Sequence, residues 1–292
     1  SKKSSLLSTS AFYDLISAYG FVLQAAEGGV KISGFISGDQ KAMKKAGIRL
    51  SDSRGLGGYF IDKISSDGLM FYNEGKNLKE AVERMKETTP EQYDRYQNIA
   101  QTWLSLDIEQ DMAPWMDGPY FFSMHRNSKN YFPGLTLSVN ASKAKDQAKS
   151  FTNTLFERLN AGLSVLFLQF DYLKSAVTLG EISSGSDKMY RLVVDFSKIS
   201  KEAAESLPAS LSVLQDSVVS LTFGVKEDFF FVSLYDDASS IFEGEHLRES
   251  GAYKEAVSRF SSPDGEILSV NVAESADYLA SVKESLQKSN VL

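Results

Sequence analysis

Apolar residues alternate with polar or small ones in two runs, Phe21 to Ala26 and Val30 to Ile36, and Glu27-Gly28-Gly29 lies between them. A period of two with a glycine turn predicts a β-hairpin. The same signature recurs in Tyr120 to Met124 and Gly134 to Val139, around the polar Arg126-Asn127-Ser128-Lys129-Asn130. It recurs again in Val218 to Phe223 and Phe229 to Leu234, around Gly224 to Asp228. Strands joined this closely pair antiparallel. Elsewhere the period changes to three and four. Ala144, Ala148, Phe151, Leu155 and Leu159 would line one face of a helix. A further helix is expected from Pro90 to about Leu106. Thr89 would be its N-cap, Pro90 its first residue, and Tyr93, Tyr96, Ala100, Trp103 and Leu104 a stripe turned to the core.

Several segments resemble one another. Gly29-Val30-Lys31 and Gly224-Val225-Lys226 stand 195 residues apart, and both open strand-like runs. Leu50, Ser53, Asp67 and Gly68 correspond to Leu247, Ser250, Asp264 and Gly265 at an offset of 197. After each Asp-Gly come a strand-like stretch, Leu69 to Tyr72 or Ile267 to Val270, and a helical pattern with Val82 and Met85 or Leu279 and Val282. Leu137-Ser138-Val139-Asn140 repeats as Leu268-Ser269-Val270-Asn271. Another strand-to-helix unit runs from Tyr190 through Val194 to Ile199, Ala203, Leu207 and Leu211. Such self-similarity is read as internal duplication. The expected fold class is α+β: two pseudo-repeated lobes, 1–161 and 162–292, each a largely antiparallel sheet with helices packed on one face. Ser183-Ser184-Gly185-Ser186 would be a surface loop of the second lobe.

Composition narrows the function more than the fold. The 292 residues are 42% hydrophobic and 24% charged, close to globular averages. A net charge of -7 argues against general affinity for phosphate backbones or anionic lipid. The chain has no cysteine, which removes disulfides, thiolate catalysis and cysteine-based metal sites together. It also fits a protein working outside the cytoplasm, where stray thiols are a hazard. The best apolar run, Leu163 to Phe170, is far shorter than the ~20 residues a spanning helix needs. Ser1 to Ser10 lacks the apolar core of a signal peptide, so any export signal or anchor is expected upstream of residue 1.

Catalytic signatures are missing. The two histidines, His125 and His246, lie in different expected elements and form no HExxH pattern, so both are read as structural. There is no Gly-x-Ser-x-Gly elbow. Gly75-Lys76 lacks the glycine that a phosphate loop requires before it, and Arg54-Gly55-Leu56-Gly57-Gly58 reads as a loop. Carboxylates remain. Asp107, Glu109 and Asp111 alternate and would support acid-base chemistry only with a second carboxylate across a cleft. Asp236, Asp237, Glu243 and Glu245 offer hard oxygens for calcium but lack the Asp-x-Asp-x-Asp-Gly loop. Asn140-Ala141-Ser142 is one formal glycosylation sequon. No cofactor, catalytic residue or metal ligand is expected.

Three blocks carry a resemblance. Leu106-Asp107-Ile108-Glu109-Gln110-Asp111-Met112-Ala113-Pro114-Trp115-Met116-Asp117-Gly118, then Tyr120-Phe121-Phe122, places acidic residues before a tryptophan turn and a strand. Leu135 to Val139 leads to Ala141 and Ala144. Val219 to Asp228 forms a hairpin, with Tyr253-Lys254-Glu255-Ala256 later. In these the chain resembles a bacterial family of extracytoplasmic proteins, usually membrane-anchored, known as domain-of-unknown-function family 3352. The resemblance implies an envelope or surface location and transfers no catalytic residue. Members often begin with a transmembrane segment, which this chain does not contain. The expectation is therefore a non-enzymatic extracytoplasmic scaffold or binding domain, with an unknown protein or hydrophobic ligand in the envelope as partner and no nucleic acid. The alternatives are a carrier of a hydrophobic ligand such as lipid, suggested by Phe229-Phe230-Phe231 and Leu163 to Phe170, and a carboxylate-using hydrolase.

Overall fold

The computed structural model describes residues 16–26, 29–38, 60–127, 132–182, 187–199, 217–235, 238, 240–251, 253–254 and 267–288. The chain divides into two compact units, Ser1–Asp52 and Ser53–Leu292. In the first, β1 (Ile16–Ala26) and β2 (Gly29–Gly38) form the expected antiparallel hairpin, with Leu23 opposite Ile32 and Ala26 opposite Gly29.

The second unit is built on one antiparallel sheet of eight strands. In chain order these are β3 (Met70–Asn77), β4 (Pro119–His125), β5 (Gly134–Asn140), β6 (Val177–Glu181), β7 (Lys188–Asp195), β8 (Val218–Lys226), β9 (Phe229–Ser233) and β10 (Ile267–Val270). Their spatial order is β10-β3-β4-β5-β9-β8-β7-β6. The helices are α1 (Leu78–Thr88), α2 (Pro90–Leu104), α3 (Lys145–Gln169) and α4 (Val272–Lys288). The α+β class is as expected.

The division into lobes at 161/162 does not match this architecture. That boundary falls inside α3, and strands from both sides of it share one sheet, because β5 pairs directly with β9. The sequence match at offset 197 also has a different meaning in space. Its two strands, β3 and β10, are antiparallel neighbours at one end of the sheet, with Met70 opposite Val270. Residues 50, 53, 264 and 265, on which part of that match rested, residues 203, 207 and 211 of the further strand-to-helix unit, and the loop 183–186 lie outside the described residues.

Local chemistry sets the elements. Asn77 caps α1 through its side chain, which accepts from the Lys79 N–H at 2.8 Å. Thr89 does not cap α2 with its side chain. Its hydroxyl donates to the Met85 carbonyl at 3.2 Å and closes α1 instead, while Pro90 starts α2 as expected. The β8–β9 turn is tighter than expected, with only Glu227 and Asp228 between the strands, and Glu227 takes a left-handed φ of 51°. Gly224 sits where a Cβ would come within 2.1 Å of the Lys188 carbonyl oxygen, so glycine is what lets β7 and β8 approach here. The apolar run Leu163 to Phe170 forms the end of α3 and its cap.

The sheet separates two cores. On one face Trp115, Tyr120, Val139, Phe223, Val225 and Phe230 pack with Ala148, Phe151 and Leu155 of α3, joined by Leu78 and Val82 of α1 and by Ala100 and Leu104 of α2. On the other, Phe71, Phe121, Phe229 and Phe231 pack with Phe60, Ile61 and Ile64 and with Ile241, Phe242 and Leu247. The Phe229-Phe230-Phe231 run is thus consumed by alternation, its middle ring in one core and its outer rings in the other.

The strand order reads the same from both ends when β3, β4 and β5 are matched to β7, β8 and β9, and β10 to β6. The side chains follow. One rung crosses the sheet on the α3 side as Tyr72, Phe122, Leu137, Val232, Phe223 and Tyr190. It is a palindrome of tyrosine, phenylalanine and aliphatic residues about an axis between Leu137 and Val232.

Candidate functional site

The alternating carboxylates after α2 are held by structure rather than aimed at a cleft. Asp107 caps a single wide turn, Ile108–Met112, accepting from the Glu109 and Gln110 N–H groups at 2.8 and 2.9 Å. Its other oxygen accepts from Gln97 at 3.0 Å. Asp111 accepts the Asp107 N–H at 2.8 Å and pairs with Arg158 at 3.5 Å. Glu109 pairs with Lys86 and accepts from the Tyr93 hydroxyl at 3.3 Å. The hydrogen bond from Lys86 holds the Glu109 carboxyl below its ordinary range, and the same bond raises Lys86. Burial, then the nearby Glu109 charge, pushes the Tyr93 hydroxyl up. This network anchors α1, α2 and α3 to the segment that places Trp115, whose indole donates to the Asp111 carbonyl at 3.1 Å.

Glu243 pairs with Lys226 at 2.5 Å, and Glu245 offers its backbone carbonyl to the Ser66 N–H. Asp236 and Asp237 lie outside the described residues. Among the described residues no group of three or more His, Cys, Asp or Glu side chains could hold a metal ion. The sequon residue Asn140 turns its side-chain oxygen to the Ser142 N–H at 2.8 Å, shaping the entry to α3.

His125 is placed with chemistry that sequence reasoning missed. It is buried at the end of β4, hydrogen-bonded through Nε2 to Ser123 Oγ at 2.9 Å and stacked on Tyr235 with ring centroids 4.9 Å apart. Gly134 permits the stack, since a Cβ there would meet the Tyr235 ring at 2.6 Å. Burial pulls the imidazole down to about 4, and the nearby Asp67 charge opposes this. Ser123 opens a row of hydroxyls continued by Thr136, Ser233 and Thr222 on adjacent strands, each at most 4% exposed. Thr136 and Ser233 bond at 2.6 Å, and Arg191 Nε donates to Thr222 Oγ1 at 3.1 Å. Period-two alternation of small hydroxyl residues was the available signal. Serine, histidine and aspartate are therefore neighbours, but Asp67 acts on His125 through charge alone, and Ser123 and His125 are only 4% and 5% exposed. A nucleophile must reach its substrate, so this is a buried polar seam. His246 forms an isolated bridge with Ser65, and its Nδ1 is buried without a partner.

What stands open is apolar. Of the α2 stripe, Tyr93, Ala100 and Leu104 turn inward, whereas Tyr96 and Trp103 face water, Trp103 at 79% exposure. The expectation that the whole stripe is core is corrected. The stripe is wider than the contact α2 makes, so its outer edge stays uncovered. Leu168 near the end of α3 is 85% exposed. On the α3 side of the sheet, Phe122 and Leu135 are 43% and 46% exposed beside half-buried Met70, Tyr72 and Met124.

Comparison of the chain with protein-family models, with curated proteins and with solved structures finds no match in any of the three. Among the described residues no helix is long and apolar enough to cross a membrane.

Proposed function

We propose that the chain is a non-enzymatic binding or scaffold domain of the bacterial cell envelope, held to the membrane by a segment outside it. The observation that carries the binding role is the partly exposed apolar section of the sheet at Phe122 and Leu135, 43% and 46% exposed. Contiguous apolar surface left in water costs solubility, and proteins keep it where a partner or ligand covers it. The carboxylates that would support a hydrolase support this reading instead, because Asp107, Glu109 and Asp111 all serve caps and ion pairs. The absence of cysteine and the resemblance to family 3352 support the envelope location.

Fractionation of cells producing the full-length product, with protease added to intact cells or spheroplasts, tests the location. The domain should sediment with the envelope and be cut from outside. Recovery in the protected cytoplasmic fraction would overturn the reading. Native mass spectrometry of the purified domain separates the carrier alternative, because a co-purified lipid of defined mass would replace the protein-binding role.

A further inference from the structure

We propose that the outer edge of β6 is a self-association surface, on which a second copy of this chain adds its own β6 antiparallel and continues the sheet across a two-fold axis at Leu179. This edge is the last of the eight-stranded sheet, four strands from β5, and stands apart from the apolar section at Phe122 and Leu135.

The backbone decides which residues face outward. The Asp195 N–H donates to the Ala176 carbonyl at 2.8 Å, and the Ile182 N–H to the Met189 carbonyl at 3.0 Å. In the antiparallel register of β6 with β7, the bonded pairs therefore fall on Thr178 with Val193 and on Gly180 with Arg191. Val177 and Leu179 lie between them and turn their N–H and C=O groups away from β7. Among the described residues no strand receives those groups. Solvent reaches the edge, since Thr178 and Gly180 are exposed and a Cβ at Gly180 would meet nothing within 4 Å.

An end strand is ordinarily blunted by lysine, proline or a bulge. From Val177 to Gly180 there is neither charge nor proline, and the pairing with β7 runs without a shift of register. Glu181 carries the strand's one charge, at its last position, and its carboxylate is paired with Lys188 at 3.2 Å.

An open edge selects a strand, because its bonds are made by backbone. A second copy is the strand that fits, because this edge complements itself. Leu179 is the middle of five residues, so a two-fold axis there pairs β6 over its full length. Leu179 then exchanges both backbone bonds with Leu179 of the second copy. Thr178 stands opposite Gly180, a side chain beside a residue without one. Val177 stands opposite Glu181, which keeps the two carboxylates from facing each other. Antiparallel pairing also sets the start of one strand beside the end of the other. Phe170 before the strand and Ile182 after it are 40% and 36% exposed, and the axis carries each toward the other's copy.

Sedimentation of the full chain over a range of concentrations should show a monomer–dimer equilibrium. Leu179→Pro removes only an outward N–H and leaves the bonds from Thr178 and Gly180 to β7, so the dimer should weaken by roughly tenfold or more with the loss of both central bonds. Leu179→Ala, which keeps the N–H, should weaken it less. The lack of native cysteine supplies a second readout. Cα atoms of such a bonded pair stand about 5.5 Å apart, within disulfide reach, so Leu179→Cys should cross-link to a covalent dimer under mild oxidation. Leu135→Cys should not. Should Leu179→Pro fail to fold, as judged by circular dichroism, the cross-link carries the comparison. A monomer at every concentration would overturn the proposal, as would a dimer unchanged by Leu179→Pro or cross-linking at Leu135 equal to that at Leu179. Open-ended growth beyond the dimer would also overturn it, because it would join β6 to a different edge of the next copy.

Discussion

The two halves of the α3-side sheet surface are close to equal in sequence chemistry and opposite in environment. Tyr190, Phe223 and Phe230 are core; Tyr72, Phe122 and Leu135 are half-buried or open. The same rung of tyrosine, phenylalanine and aliphatic residues thus stabilises the fold on one side and waits at the surface on the other. Composition of a strand says that a face wants cover, but the path of the chain decides whether cover is supplied from within.

Paired truncation should break or sharpen this comparison most directly. Phe223→Ala is expected to cost about 3–5 kcal/mol in urea unfolding, since it empties a fully packed site. Phe122→Ala should cost no more than about 1 kcal/mol, because much of that ring is already in water. Equal losses would show that the two halves are equally covered in solution.

Acid should act next, through the open half. His125, on the reverse side of β4, has a folded pKa of about 4 against 6.5 when unfolded. The neutral form is the one the fold accepts, so this contribution is fully present above about 6.5 and falls as pH drops toward 4. By then the loss should be on the order of 3 kcal/mol. Denaturation followed at pH 7 and pH 4.5 should show it, and His125→Phe, which keeps a ring against Tyr235, should flatten the difference. Amide exchange should rise first in β4 and β5; a uniform rise would remove the distinction between the halves.

A charge placed on each surface gives a smaller contrast on the open side. Leu135→Lys should change stability by less than about 1 kcal/mol, whereas Val225→Lys should prevent folding because its position is fully buried. Expression as soluble protein and a melting curve read both. The smallest effect belongs to Ser138, beside the axis of the sheet, whose Oγ is buried without a hydrogen-bond partner. Ser138→Ala should leave stability unchanged or raise it slightly, because no bond is lost and an unsatisfied hydroxyl is removed. A clear loss in the same unfolding assay would mean that the hydroxyl is bonded in solution.

Much of the local structure was legible from the chain. The three hairpins follow from period-two runs around polar or glycine turns, and α2 and α3 follow from three-and-four spacing. The repeat was harder to read. The match of Leu69 to Tyr72 with Ile267 to Val270 is a match between adjacent strands, and short apolar strands look alike wherever they lie. The symmetry that relates the halves pairs β3 with β7 and β4 with β8, at unequal sequence distances, because different connections intervene. From the sequence Trp103 belongs to the core stripe, yet it is exposed, because periodicity shows that a helix has an apolar face but not how wide a contact awaits it. The hydroxyl row ending at His125 is hidden in the sequence for a related reason: serine and threonine spaced by two look like surface positions until the face of the sheet opposite α3 is seen to be covered.

By itself the sequence determined the α+β class, the antiparallel hairpins, the lack of thiol chemistry and the acidic balance, because each depends on spacing or composition within short windows. Only the tertiary structure decided that β3 to β10 share one sheet rather than dividing between two lobes, that Asp107, Glu109 and Asp111 are spent on caps and ion pairs, and that Phe122 and Leu135 are partly open while Phe223 and Phe230 are closed. Those outcomes depend on which face of the sheet a connection returns over, and residues far apart in the chain settle that together.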